Sequence, residues 1–179
     1  MARLSATLRD GVILNNRYRI LKQIGQGGFG RAYLAEDIHR YRELCVLKEF
    51  APQVESDRDL RKAEDLFERE SGILYRLRHS QIPKFEALLQ TRIDGKRSLF
   101  IVQEYVEGDS YWELLKRHGK LTETEVTNMM WELLPVLDHI HHAKLIHRDI
   151  SPDNLIRRES DGKTTVSYTH LTLPTILLV

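Results

Sequence analysis

The spacing of apolar positions changes partway along this chain. In the first half they fall in short runs: "YRILKQIG" and "RAYLAED" flank a glycine-rich tip, and "ELCVLKEF" is a third run that ends near Pro52. These predict a glycine-tipped hairpin and a third strand. From Asp59 to Arg78 the period lengthens, with Ala63, Phe67, Leu74 and Leu77 stepping by four and three along one face of a helix. After "IPKFEALL" and the turn-like "DGK", the run "SLFIVQEYV" predicts a further strand that Gly108 closes. The second half reads as helical. Thr122 with Glu125 fits a capping box, and Val126, Met130, Leu133, Leu137 and Ile140 mark a stripe on a long helix. Met129 and Met130 read as core filler. Pro135 falls inside that helix and should kink it, at a cost of up to about 3 kcal/mol.

Two features break the pattern. Glu70 falls on the apolar face of the first helix, where a lone carboxylate costs several kcal/mol; it either has a buried cationic partner or sits at a rim and reaches water. Gly25, Gly27 and Gly30 have the spacing G-x-G-x-x-G, which lets backbone N–H groups approach an anionic ligand without side-chain obstruction. A dinucleotide site of this pattern needs a helix after the glycines, whereas "RAYLAED" reads as a strand. By itself the spacing fits both a phosphate loop and an ordinary hairpin.

The chain's 179 residues suit one domain, or a small domain plus part of another, and a hydrophobic fraction of 41% supports a core. With 27 Lys and Arg against 26 Asp and Glu, no field of one sign points to nucleic acid or an anionic membrane surface. The charge run "SDRDLRKAEDLFERE" reads as the solvated face of a helix. Cys45 is the only cysteine, which rules out an intrachain disulfide and any multi-cysteine metal site, and it reads as a small core residue. His139, His141 and His142 are poorly spaced for a metal and have no further ligand cluster near them in sequence. The opening "MARLSATLRDGVILNNRYRI" holds no segment long enough for a signal peptide or membrane helix, so a cytoplasmic location is expected. The tail "LTLPTILLV" is too short to span a bilayer and is interrupted by Pro174.

Further along stands "LIHRDISPDNLI", in which His147, Arg148, Asp149 and Asn154 form the pattern H-R-D-x-x-x-x-N. Together with the glycine hairpin, "CVLKEF" and Glu70, in that order, it makes the chain resemble the eukaryotic-type protein kinase family over about Tyr18 to Lys163. "HRDISPDN" and "ELCVLKEFAP" are similar to bacterial members, notably cyanobacterial serine/threonine kinases. The resemblance implies an α+β fold, with an amino-terminal antiparallel β-sheet lobe carrying one helix, followed by the incomplete beginning of a helical lobe. It divides the chain into an extension (1–17), the sheet lobe and linker (18–106), part of the helical lobe (107–164) and a tail (165–179) foreign to the domain.

What the resemblance implies about chemistry is specific. Phosphoryl transfer asks a protein mainly to position an acceptor hydroxyl and to neutralise phosphate charge. ATP would be held by Ile24, Gly25, Gln26, Gly27, Gly28, Phe29, Gly30, Ala32, Val46 and Lys48, with backbone groups of Glu104 and Val106 meeting the adenine and Gln103 at the mouth of a back pocket. Lys48 would hold the α- and β-phosphates and pair with Glu70; Asp149 would orient the acceptor hydroxyl; Asn154 would ligate Mg2+. The partner implied is a protein with a serine or threonine acceptor, with no nucleic acid and no membrane segment in this chain. A non-catalytic, pseudokinase-like nucleotide-binding or interaction module is the alternative, whereas Arg148 argues against a small-molecule kinase, whose loop usually reads H-G-D. Departures accompany the match. Ala32 stands where the family commonly has valine, Ser151 where it usually has lysine, and no D-F-G follows "SDGKT". The last of these predicts that the chain alone transfers no phosphate.

Overall fold

The computed structural model describes residues 7–27, 30–51, 56–143, 145, 147 and 149–167, and the side chains of residues 27, 57, 66 and 70 lie outside that description. The described residues separate into two compact units, one running to Tyr75 and including Lys84–Tyr105, the other made of Arg76–Pro83 and the described residues of 106–167.

In the first unit the alternating runs become an antiparallel sheet. Its strands are β1 (Ile13–Leu14), β2 (Tyr18–Gly27), β3 (Gly30–Asp37), β4 (Glu43–Phe50), β5 (Phe85–Ile93) and β6 (Lys96–Glu104), in the order β1-β2-β3-β4-β6-β5. Register assigns the faces. Ala32 pairs with Lys48 and Lys48 with Ile101, so these three share one face, while Tyr33, Leu47 and Val102 share the other. Helix α1 (Asp57–Arg76) covers the Lys48 face: Phe67 stacks on Phe50 with ring centroids 4.4 Å apart, and Glu64 and Glu68 accept from Arg97 at 2.9 and 2.6 Å. Ala63, Phe67, Leu74 and Leu77 are all buried, as the helical period predicts, although α1 begins and ends two residues earlier than that reading. The opposite face buries Tyr18, Ile20, Tyr33, Ala35, Cys45, Leu47, Phe100 and Val102 beneath Leu8 and Leu14 of the amino-terminal segment. Each such aliphatic or aromatic side chain contributes about 1.5–3 kcal/mol by leaving water. Asp37, at the end of β3, is buried and takes a two-pronged contact from Arg17, at 2.9 and 2.6 Å.

The second unit holds a small sheet, β7 (Gly108–Ser110), β8 (Leu155–Arg158) and β9 (Thr164–Val166), with α2 (Tyr111–His118) and α3 (Glu123–His142). Ser110 and Thr122 each cap their helix through a reciprocal capping box, the second with Glu125 as the sequence predicts. Helix α3 is assigned without a break through Pro135. Its buried side is Leu133, Val136 and Ile140, which corrects the sequence stripe: Leu137 and Met129 are half-buried, and Val126 and Met130 are each 40% exposed and so are not core filler. Cα–Cβ direction and the position of neighbouring elements decide which flank of a broad apolar helix is covered, and periodicity alone does not contain that information.

Residues 165–167, assigned to a foreign tail in the sequence reading, are buried. Strand β9 pairs with β8, the Val166 amide donates to the Gln81 carbonyl at 2.9 Å, and the Ser167 amide donates to the Asn154 carbonyl at 2.8 Å. The Thr164 amide and hydroxyl are held by Glu132 and Tyr111. The remainder of the proposed tail, 168–179, lies outside the described residues. Among the described residues, no helix is long and apolar enough to cross a membrane.

Candidate functional site

The glycine hairpin is built from the paired ends of β2 and β3. Gly25 lies opposite Ala32, Gln26 opposite Arg31 and Gly27 opposite Gly30, after a register shift between Gln23 and Gly25. The glycine at position 30 is required by close packing: a Cβ there would fall 1.8 Å from the Glu49 carbonyl oxygen. Ile24 is exposed beside the register shift, while the tip residues Gly28 and Phe29 lie outside the described residues. One strand further, Lys48 is buried on the same face as Ala32, which is half-buried, and Val46, which is buried. Burial pushes the Lys48 ammonium down from its ordinary value near 10.5 to about 7. Burial disfavours the charged form there, and an anion beside it favours that form.

Glu70 sits in α1 between the buried positions Phe67 and Leu74, on the helix that covers the Lys48 face. Its side chain lies outside the described residues, and so does the expected pairing with Lys48. Gln103 is buried on β6 opposite Val46. The Glu104 amide donates to the Lys84 carbonyl at 2.9 Å, and its carboxylate accepts from the Lys84 amide at 3.1 Å, so the amide is already committed. Val106 is half-buried, and the chain returns to the second unit there.

The loop before β8 brings together the other predicted residues. Asn154 is 1% exposed at the end of a 3-10 turn (Pro152–Asn154), and its Nδ2 donates both to the Asp149 backbone carbonyl and to Asp149 Oδ2, each at 2.8 Å. The Asp149 amide donates to His147 Nδ1 at 3.3 Å, and His147 is buried. Thus Asp149 is held at its backbone from both sides and at one carboxylate oxygen, with the group half-buried. Asn154 Oδ1 is buried and has no hydrogen-bond partner among the described residues. Ser151 is half-buried, and its carbonyl accepts the Asn154 amide at 2.9 Å, closing the turn. Arg148 lies outside the described residues.

A buried polar cluster was not singled out from the sequence. Arg31 Nη1 lies 3.4 Å from Glu49 Oε2, and the Tyr33 hydroxyl donates to the same oxygen at 3.2 Å. The only signal was a charge flanking each of two motif residues, Gly30 and Lys48. Among the described residues, no group of three or more His, Cys, Asp or Glu is placed to hold a metal; His139 instead contacts the His79 ring, with centroids 5.1 Å apart.

The chain is similar to known proteins over most of its length. Serine/threonine-protein kinase B of Synechocystis sp. is 41% identical over 152 residues, covering 84% of this chain and 26% of its own length. Serine/threonine-protein kinase PknA of Nostoc sp. is 40% identical over 84% of this chain and 27% of its own length, so the chain spans about a quarter of these relatives. Among solved structures, the PpkA-294 apo form superposes with a TM-score of 0.75 at 23% identity over 91% of this chain and 61% of its own. The PknI kinase domain of M. tuberculosis gives a TM-score of 0.69 at 25% identity with the same coverage. The model of the protein kinase domain matches residues 18–167, from the first residue of β2 to just past β9, and includes Lys48, Glu70, Asp149 and Asn154; the chain belongs to that family.

Proposed function

We propose that the chain is the nucleotide-binding and catalytic-loop portion of an ATP-dependent protein serine/threonine kinase, acting on a serine or threonine hydroxyl of a protein. The observation that carries this is the Asp149–Asn154 constellation: a half-buried aspartate whose backbone carbonyl and one carboxylate oxygen are each held by the Asn154 amide nitrogen, while the Asn154 carbonyl oxygen has no partner among the described residues. The serine/threonine kinase names of its relatives support the class of acceptor.

In this reading the amides of Gly25, Gln26, Gly27 and Gly30, with those of Gly28 and Phe29, line the phosphates, and Ile24, Ala32 and Val46 cover the adenine. Lys48 neutralises the α- and β-phosphates, which restores the charge that burial disfavours, and Glu70 keeps it aimed. Val106 and the carbonyl of Glu104 meet the adenine edge, since the Glu104 amide is already used. Asn154 Oδ1 suits a hard cation that takes oxygen ligands, and Mg2+ bound there would neutralise charge on the phosphates. Asp149 accepts a hydrogen bond from the acceptor hydroxyl and directs its lone pair at the γ-phosphorus. Residues 18–106 form the sheet lobe and linker in this reading, and the chain from 107 starts the helical lobe.

The test is transfer of label from γ-labelled ATP to generic serine/threonine protein acceptors, run on the 179-residue chain and on the full product of its gene, with Asp149→Asn as control. Label above the control in the full product supports the reading. Neither label nor Lys48-dependent ATP binding in either protein refutes it.

A further inference from the structure

Taking two charges out of water costs more than their attraction commonly returns, so a buried ion pair calls for a reason. Arg31 and Glu49 form such a pair, with side chains only 5% and 2% exposed. Arg31 Nε has no partner among the described residues, so the guanidinium depends on Glu49 for compensation. The Tyr33 hydroxyl donates to the same carboxylate oxygen and accepts from the Leu8 amide at 3.4 Å, which closes the cluster beneath the amino-terminal segment. Burial, then the Glu49 carboxylate, push the Tyr33 hydroxyl up, so it remains a donor at neutral pH.

Position gives the pair its meaning. Arg31 follows Gly30, the last glycine of the hairpin, and Glu49 follows Lys48. Strand side chains alternate, so both charges lie on the sheet face opposite Lys48, and a bond between them joins the base of the hairpin to the lysine strand without entering the side that Lys48 occupies. The Gly30 backbone also passes so near Glu49 that a Cβ there would meet its carbonyl oxygen. We infer that Arg31 and Glu49, with Tyr33, are positioning residues for ATP, fixing the glycine hairpin at the height above Lys48 that phosphates require. This rests on reading the hairpin and Lys48 as the ATP site. The pair would act on the phosphates and leave the nucleoside alone.

The test uses the 179-residue chain with Arg31→Met, Glu49→Gln, their double variant and the conservative Arg31→Lys. ATP and adenosine affinities are measured by calorimetry, and amide hydrogen exchange is followed by peptide. Each single variant should weaken ATP by about tenfold, the size of one hydrogen bond to a charged group, while adenosine affinity stays unchanged. Exchange should rise in peptides spanning 24–32 and not in α1; the double variant should be no worse than the singles, and Arg31→Lys should keep most of the affinity. If Arg31→Met does not fold, Glu49→Gln, which keeps the side chain's shape, decides by the same outcomes. Equal losses of ATP and adenosine, or exchange raised evenly across the sheet, would show a merely structural pair and overturn the inference. ATP binding that needs Lys48 but ignores Arg31 overturns it alone, whereas no ATP binding by the unaltered chain, with Lys48→Met indistinguishable, overturns the ATP reading as well.

Discussion

The glycine pattern treats Gly25 and Gly30 alike, but the structure does not, and Gly30→Ala measures the difference. A Cβ at position 30 would lie 1.8 Å from the Glu49 carbonyl oxygen and 2.9 Å from its carbonyl carbon. Both are backbone atoms of the lysine strand, so no side chain can swing aside, and β3 and β4 must part by at least about 1 Å to reach ordinary contact. Overpacking of this kind costs about 1–3 kcal/mol, and a weakened ladder bond adds about 1 more. For a chain of this length that lowers the melting temperature by on the order of 5–10 °C. Two controls separate this clash from the general effect of replacing glycine. At Gly25 the nearest atom is the Ala32 Cβ at 3.6 Å, an ordinary contact, so Gly25→Ala should cost less than about 1 kcal/mol. At Gly72, exposed in α1, a Cβ meets nothing within 4 Å, and Gly72→Ala should gain up to about 1 kcal/mol of helix propensity. Thermal unfolding followed by circular dichroism gives the order directly. Gly30→Ala melting within about 2 °C of Gly25→Ala would mean that the strands do not approach as described, and would remove the backbone half of the positioning argument.

Three further outcomes follow from the charges. Because burial holds Lys48 near 7 and phosphates would raise that value, ATP affinity should weaken as pH rises from 7 to 9, by at most about tenfold per unit, and this slope should vanish in Lys48→Met when both are titrated by calorimetry. Burial pushes the Asp37 carboxyl up, but the Arg17 guanidinium more than offsets it and holds the group below its ordinary 3.8. Its stabilisation is therefore complete above about pH 4 and lost as pH falls through the lowered value; Arg17→Met should cost about 2–4 kcal/mol at pH 7 in urea unfolding and less on acidification. Asn154→Asp replaces two donated bonds at 2.8 Å with a second carboxylate facing Asp149, so the variant should be destabilised at pH 7 by more than Asn154→Ala, which loses the bonds without adding a charge; equal losses in thermal unfolding would mean that the two groups do not meet.

What could be read from the sequence was whatever is fixed by neighbours along the chain. The capping box of Thr122 and Glu125 involves residues three apart, and the α1 stripe repeats within one helix, so spacing alone determined them. Lys48, Asp149 and Asn154 were singled out because a motif records their order, and the loop geometry joins the last two through bonds spanning five residues. Strands β7 to β9 escaped because each is three or four residues long and is stabilised by partners far away, as when Gln81 bonds Thr164 across 83 positions. The same limit placed the domain edge at 165, although Thr165 and Val166 belong to a paired strand. Arg31 and Glu49 are the sharpest case. Eighteen residues apart, each reads alone as a charge beside a motif, and in strand alternation such a charge is ordinarily the solvent side. Only the register, with Ala32 opposite Lys48, sets them on one face, and the amino-terminal segment, through the Leu8 amide on Tyr33, covers the cluster with chain instead of water. A pattern of period two says which residues share a side; it cannot say whether that side meets solvent, and for this sheet both sides are covered.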